Sequence, residues 1–299
     1  MVFNEAFEIW LNVQAGRIRP ISVKSYKSTI KNHIAPDIGT DDITSFTPDI
    51  AGKSFAEWRL IKSKPQMFEI KKTLSAMFSY FVDEGVLLRN PVKKMYVDKT
   101  PPDVIVPSQQ EIKDFLLGTK DNTPYYPHFL LLATTGMRIS ELRGLQLSDV
   151  DLINHKVSIK RVFYKGAEHE TKAKASRRKI DIPEFVTKVL SAHIEQIKNL
   201  AKDCKWLFPN RRGNPVSHQY LGKTLHYWQD QLKIPSFTPH AFRHAHATFL
   251  LEHGRSLKAI QQRLGWSSAS MLLERYAHVT ETERQILMEN ISNEFKATA

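Results

Sequence analysis

One cysteine in 299 residues, Cys204, leaves no partner inside the chain. An internal disulfide is therefore excluded, and with it the small disulfide-stapled secreted fold. No apolar run approaches the roughly 18 residues of a membrane-spanning helix; Phe129-Leu130-Leu131-Leu132-Ala133 is too short. The opening Met1-Val2-Phe3-Asn4-Glu5 has neither the basic start nor the apolar stretch of a signal peptide. Internal repeats and low-complexity tracts are lacking. So are a glycine-rich phosphate loop ending in Lys-Ser/Thr, a dinucleotide fingerprint, a Gly-x-Ser-x-Gly elbow and paired-cysteine zinc spacing. A composition of 41% hydrophobic and 25% charged residues excludes a disordered tail, a collagen-like repeat and a coiled-coil rod. The expectation is a soluble intracellular chain, long enough for two domains that each bury a core.

What is present in excess is positive charge: 43 Lys and Arg against 31 Asp and Glu, net +12, with a pI near 9.6. Such a balance suits a polyanion, nucleic acid foremost. The charge is concentrated. Between Lys156 and Lys179 stand nine basic residues and only two acidic ones, Glu168 and Glu170. A solvated hairpin is the plain reading of such a run, but its strand-like alternation projects the charges onto defined faces.

The first hundred residues show helical periodicity. Tyr26, Ile30 and Ile34 recur on one face while Lys24, Lys27 and Lys31 fall on another. Ile70, Leu74, Met77, Phe78 and Phe81 form a second apolar stripe, which Gly85 and Asn90-Pro91 terminate. Residues 1–98 thus predict a helical domain. Two prolines, Pro101 and Pro102, mark a linker over 99–107, with the boundary near residue 103. The second domain, 108–299, opens on a capping box, Ser108-Gln109-Gln110-Glu111. It continues helical to a break at Gly136, turns to strands at Lys156–Val162, from Val162–Tyr164 onward and at Arg178–Ile182, and is helical again after Pro183. The fold class expected is mainly α with a small antiparallel β-sheet in the second domain.

Four segments carry chemistry. In Thr135–Leu145, Arg138 and Glu141 are i, i+3 neighbours at a helix start, placed to pair. In Thr171–Arg178, Lys172 sits at a strand turn, where a lysine supplies a mobile point charge and, with a lowered pKa, a proton. In Pro239–His246, His240 and Arg243 share the face of a helix start suited to an anion. His240 and His244 also have the spacing of a zinc pair, but no third ligand accompanies them, so no metal is expected. The fourth segment is Leu264-Gly265-Trp266-Ser267-Ser268, followed by Leu273-Glu274-Arg275-Tyr276-Ala277-His278.

In order, spacing and detail these segments resemble the tyrosine recombinase (phage integrase) family. The resemblance covers the whole second domain, and the N-terminal unit is similar to the family's core-binding domain. It implies that Tyr276 is the nucleophile, that Arg138, Lys172, His240, Arg243 and Trp266 complete the site, and that Glu141 supports the first arginine. Trp266 stands where most relatives have His, as it does in some members. Its indole donates one hydrogen bond and transfers no proton, which leaves acid–base duty to Lys172 and His240.

The chemistry fits the residue types. Attack on a phosphodiester adds charge to its non-bridging oxygens, and two arginines clamp these bidentately where other nucleases use metal ions. Tyrosine, with a pKa near 10, needs a neighbouring base and a cationic field; Lys172 would protonate the departing 5′-hydroxyl. A 3′-phosphotyrosine link conserves the bond energy, so neither ATP nor Mg²⁺ is required and no cofactor is expected. Expected partners are duplex DNA attachment or recombination sites, a homo-tetramer on DNA and, left open, an accessory DNA-bending or directionality factor; no membrane is involved. Lys24, Lys27, Lys31, Lys174, Arg177 and Arg178 are the expected DNA contacts; Ile286, Leu287, Ile291 and Phe295 give a final helix near 282–299 an apolar face that could pack on its own domain, and the resemblance implies that it docks instead on a neighbouring protomer. The localisation expected is cytoplasmic, at the nucleoid. Larger integrases of the family carry a further arm-binding domain, and this chain begins almost at the core-binding domain, so it is either of the simple class or trimmed. The leading function is the integrase of a mobile element. The alternatives are a Xer-like dimer resolvase, a type IB topoisomerase, which fits the boxes less well, and a non-catalytic sequence-specific DNA-binding protein.

Overall fold

The computed structural model describes residues 1–18, 20–98, 105–164, 166–170, 177–200 and 204–266. The chain divides into two compact units, Met1–Asp103 and Val104–Ala299. Their architecture is mainly α, with two small antiparallel sheets in the second unit.

The first unit holds helices α1 (Phe3–Ala15), α2 (Pro20–Thr29), α3 (Ala35–Ile38), α4 (Pro48–Ile61) and α5 (Lys64–Asp83). Each of the longer starts has a local cause. Thr47 accepts from the Ile50 amide ahead of Pro48, and Ser63 pairs with Gln66 ahead of α5. The stripe Ile70, Leu74, Met77, Phe78 and Phe81 is buried as its period requires, packed with Phe3, Phe7, Trp10 and Phe55. Lys24, Lys27 and Lys31 are exposed, although the helix they share changes pitch: Ile30–Ile34 forms a π-helical turn between α2 and α3. Asn90 closes the unit by donating to the Ser75 carbonyl at 2.9 Å and accepting from the Val92 amide at 3.0 Å. Residues 105–107 of the expected linker have no regular structure; Pro101 and Pro102 lie outside the described residues.

The second unit begins with α6 (Gln109–Thr119), capped by Ser108 and Glu111, then α7 (Tyr126–Thr135) and the short α8 (Ile139–Arg143). Strands β1 (Val150–Asp151), β2 (Lys156–Ile159) and β5 (Arg178–Asp181) form a sheet in the order β1-β2-β5, while β3 (Arg161–Tyr164) and β4 (Ala167–Glu170) form a separate ribbon. The strand expected over Lys156–Val162 is therefore two strands, interrupted at Lys160. Val157 and Ile159 face the core, and the register that holds them there pairs β2 with β5, Val157 opposite Ile180 and Ile159 opposite Arg178, while β3 turns away to pair with β4. Helices α9 (Glu184–Leu200), α10 (His218–Gln231), α11 (Ala241–Glu252) and α12 (Leu257–Leu264) follow. The core joins Phe115, Phe129, Leu131, Leu142 and Phe242 to Val157, Ile159 and Ile180. Gly144 is where α8 meets β3: a Cβ there would lie 2.9 Å from the Arg161 carbonyl oxygen. Among the described residues no helix is long and apolar enough to cross a membrane.

Candidate active site

The site is assembled by helix ends. Helix α7 stops at Gly136, whose φ of +63° suits the left-handed cap that glycine adopts without strain. The turn it makes delivers Arg138 to the N-cap of α8. Glu141, one turn on, reaches back: its Oε2 accepts the Arg138 amide at 2.8 Å and its Oε1 accepts Arg138 Nη1 at 2.8 Å. The pair anticipated from i, i+3 spacing is thus present, as a capping interaction and an ion pair together.

Glu141 is 1% exposed, and a buried carboxylate is costly unless its charge and lone pairs are met. A second arginine meets them. Arg178, on β5, donates Nη1 to Oε1 at 3.1 Å and Nη2 to Oε2 at 3.0 Å. Burial pushes the Glu141 carboxyl pKa up, but the hydrogen bond and charge of Arg178, with the Arg138 amide and guanidinium, more than reverse this and hold it below the usual range. Arg178 was expected to be a DNA contact. Its side chain is only 6% exposed, turned inward against Glu141, so its guanidinium serves the interior.

Arg243 enters from the first turn of α11 and is 1% exposed. Its Nη1 donates to the Gly136 carbonyl at 2.9 Å and its Nη2 to the Leu264 carbonyl at 2.7 Å. Burial first, then the nearby Arg138 charge, lowers its pKa to about 9, which still leaves it protonated at neutral pH. Trp266 is buried beside it, with the indole ring 5.0 Å from the Arg243 guanidinium carbon, within cation–π range. His240 is the exposed N-cap of α11, its ring edge-on to the buried His244 at 4.8 Å. Arg138, Glu141, Arg243 and Trp266 are thereby brought into one cluster. Tyr276, Lys172 and Lys174 lie outside the described residues, as does the expected final helix over 282–299.

Two residues that the sequence argument passed over complete the surroundings. Arg263, the penultimate residue of α12, donates Nε to His246 Nε2 at 3.0 Å and Nη2 to the Thr134 carbonyl at 3.0 Å. His246 lies 3.0 Å through Nδ1 from the Ala133 carbonyl; burial and then Arg263 lower its pKa to about 4, so it is a neutral acceptor. The position of His246, three residues beyond Arg243, carried no signal of this pairing, because its partner lies seventeen residues away.

The basic run is less free than its charge count implied. Arg161 pairs with Asp149 and, at 3.2 Å, with Glu168; Lys160 pairs with Asp149 at 2.9 Å, Lys156 with Asp181 at 3.7 Å and Arg177 with Glu170 at 2.7 Å. Three acidic partners, Asp149, Asp181 and Glu141, lie outside the counted segment. The Arg177–Glu170 pair is exposed on both sides and is worth little, so Arg177 remains available to an anion. Among the described residues no group of three His, Cys, Asp or Glu side chains is placed to hold a metal ion.

Residues 108–283 match the model of the phage integrase family, and residues 2–53 that of the phage integrase N-terminal SAM-like domain. The chain belongs to the phage integrase family. Among its relatives is the transposase of transposon Tn916 from Enterococcus faecalis, 28% identical over 286 residues, which cover 86% of this chain and 69% of the relative. Tyrosine recombinase XerD of Staphylococcus aureus is 35% identical over 211 residues, covering 67% of this chain and 65% of that one. The fold is shared with the Tn1549 transposon integrase solved in complex with circular intermediate DNA, with a TM-score of 0.79 at 22% identity over 97% of this chain and all of the other. A lambda integrase tetramer bound to a Holliday junction matches with a TM-score of 0.70 at 15% identity, covering 90% of this chain and 78% of that one. Within this phage integrase fold, Arg138 and Arg243 come from segments about a hundred residues apart and converge beside Glu141 and Trp266.

Proposed function

We propose that this phage integrase family member cleaves DNA with Tyr276 and rejoins it in the integration and excision of a mobile element. The chain is a tyrosine site-specific recombinase; its site residues and their roles are the proposal. The observation that carries it is the buried arginine cluster. Arg243 and Arg138 are held by carbonyls and by Glu141, and Arg138 keeps about a third of its side chain exposed for an incoming anion. Donors fixed before substrate arrives need no reorganisation as charge grows on the phosphate.

In this mechanism the two guanidiniums clamp the non-bridging oxygens of the scissile phosphate, and the Trp266 indole N–H supplies a further donor. His240, at the exposed mouth of α11, takes the proton of the Tyr276 hydroxyl. The phenolate oxygen bonds to phosphorus as the bond to the 5′ oxygen breaks, and Lys172 protonates the leaving hydroxyl. Attack by another 5′-hydroxyl reverses each step and regenerates the tyrosine.

Lys24, Lys27 and Lys31 of the first unit, with Arg177 and Lys174 of the second, would contact the phosphate backbone, giving binding that weakens steeply with salt. Assembly as a homo-tetramer on DNA at the nucleoid, with the final helix docking in trans, belongs to the same proposal. A mobile-element role is favoured over dimer resolution because the Tn916 transposase aligns with 86% of this chain, a XerC-like recombinase with 78% and XerD with 67%.

The test is a DNA duplex from the sequence flanking the protein's own gene, nicked near the crossover to trap intermediates. An SDS-resistant adduct is expected with wild type and none with Tyr276→Phe. Tight binding without adduct by wild type would overturn the enzyme assignment.

A further inference from the structure

Helix α12 presents an unusual C-terminus. Gly265, with φ +66°, closes it: its amide bonds the Gln262 carbonyl at 3.3 Å, and the Trp266 amide bonds the Gln261 carbonyl at 3.1 Å. That closure leaves the carbonyls of Arg263 and Leu264 to find donors elsewhere. Each receives a guanidinium: Arg178 Nε reaches the Arg263 carbonyl at 2.6 Å and Arg243 Nη2 the Leu264 carbonyl at 2.7 Å. Cations at a helix C-terminus also meet the negative end of its dipole.

Arg178 thus uses three of its nitrogens at once. Two span the Glu141 carboxylate, which grips Arg138; the third holds the end of the helix that leads into Trp266. We propose that Arg178 is a positioning residue for DNA cleavage, keeping the first arginine of the phosphate clamp and the α12 terminus in a single register. This rests on the recombinase reading above. In this role Arg178 acts through Arg138 and α12 and not on DNA itself: its side chain is 6% exposed, and it is engaged by the Glu141 carboxylate and the Arg263 carbonyl.

The geometry demands arginine. Only a planar guanidinium presents two parallel donors to one carboxylate and a third donor along its edge; an ammonium keeps the charge but cannot span all three acceptors. The brace is reinforced from the same helix. The Arg263 side chain runs to His246, to the Thr134 carbonyl and to the Asp181 carbonyl at 3.3 Å, tying α12 to α11, α7 and β5. Arg178 therefore sets angle and register within a helix that is already docked, which is why its replacement by lysine should leave the fold standing.

The experiment compares full-length wild type, Arg178→Lys and Arg178→Gln on the nicked duplex above, made with either the natural scissile phosphate or a methylphosphonate there. Replacing one non-bridging oxygen by methyl removes the phosphate charge, and with it much of what the arginine clamp stabilises. On the natural phosphate, R178K should bind DNA within about twofold of wild type yet form the Tyr276 adduct about 10²-fold more slowly, the scale set by a misplaced catalytic group. On the methylphosphonate that deficit should narrow to a few fold. Thermal unfolding shows which variants are folded, and R178K carries the test if R178Q is not. An R178K rate equal to wild type on the natural phosphate would overturn the positioning role while leaving the recombinase reading intact. An equal deficit on both substrates would also overturn it, since a merely loosened fold does not sense phosphate charge. Absence of a Tyr276-dependent adduct with wild type would sink the recombinase reading and this inference with it.

Discussion

Replacing Glu141 by glutamine tests the centre of the cluster with a change of one atom. The carboxylate is 1% exposed and accepts four hydrogen bonds, two from Arg178, one from the Arg138 guanidinium and one from the Arg138 amide. The amide of Gln keeps one oxygen but turns an NH₂ toward donors, and it takes from the buried Arg178 the carboxylate charge that faces two of its nitrogens. Removing one partner of a buried ion pair costs about 3–5 kcal/mol. For a unit of this size each kcal/mol corresponds to about 2–4 °C, so E141Q should lower the melting transition of the second unit by about 6–20 °C. The double variant E141Q/R178M removes the stranded charge as well. It should recover part of the loss, short of wild type by about 1–3 kcal/mol, because the Arg263 carbonyl then has no donor. The assay is thermal and urea unfolding followed by tryptophan fluorescence at pH 7.5. An E141Q transition within about 1 kcal/mol of wild type, or a double variant no more stable than E141Q, would refute the ion-pair account.

Two further perturbations follow from the same geometry. Gly136→Ala should cost about 2–4 kcal/mol by urea unfolding, about 1–2 for a left-handed residue carrying a Cβ and the rest from contacts; that Cβ would sit 2.6 Å from Leu264 Cδ2 and 2.9 Å from His246 Cδ2. A variant as stable as wild type would mean that α7 can end otherwise. His128 is buried against Phe208, neither ring nitrogen has a hydrogen-bond partner among the described residues, and burial and then His193 push its pKa well below the ordinary value. Its folded state therefore binds fewer protons than the unfolded chain once pH falls below the unperturbed value of about 6.5, so stability present above that pH is lost on acidification. His128→Leu should remove this loss, stabilising the second unit more at pH 5.5 than at pH 8 in unfolding experiments; an equal effect at both would refute it.

How much of this was legible depends on the distance between partners. Local signals carried far: the Ile70–Phe81 stripe, the Ser108–Glu111 cap, the stop at Gly136 and the Arg138–Glu141 spacing each bind residues within a few positions of one another. The strand register was less legible. Lys156–Val162 alternates well enough for one strand, and only the distant Ile180 decides that the core-facing residues are Val157 and Ile159. Arg178 was in part readable. In Arg178-Lys179-Ile180-Asp181-Ile182 it shares the parity of two buried isoleucines, which points it inward and Lys179 outward; the charge of the surrounding run outweighed that signal. Its partners are 37 and 85 residues away, and no pattern within one segment encodes them.

The cluster also accounts for arginine at these positions on electrostatic grounds. Among the described residues Arg138 and Arg178 share the Glu141 carboxylate, whereas Arg243 is met by the carbonyl oxygens of Gly136 and Leu264 and Arg263 by His246 and the carbonyl oxygens of Thr134 and Asp181. Carbonyl dipoles satisfy the donors but do not neutralise the charge, and the site retains a cationic excess that an incoming phosphodiester anion would relieve. That excess has to survive burial. In Arg243, burial and the neighbouring Arg138 leave the pKa at about 9, so the proposed clamp keeps its charge at neutral pH. A lysine starts lower, near 10.4, so the same burial beside the same cations would leave its ammonium much closer to losing its proton. Guanidinium is thus the side chain that can be braced by backbone carbonyls, packed against Trp266 and still hold its proton, so in the proposed mechanism one group would serve both the fold and the phosphate.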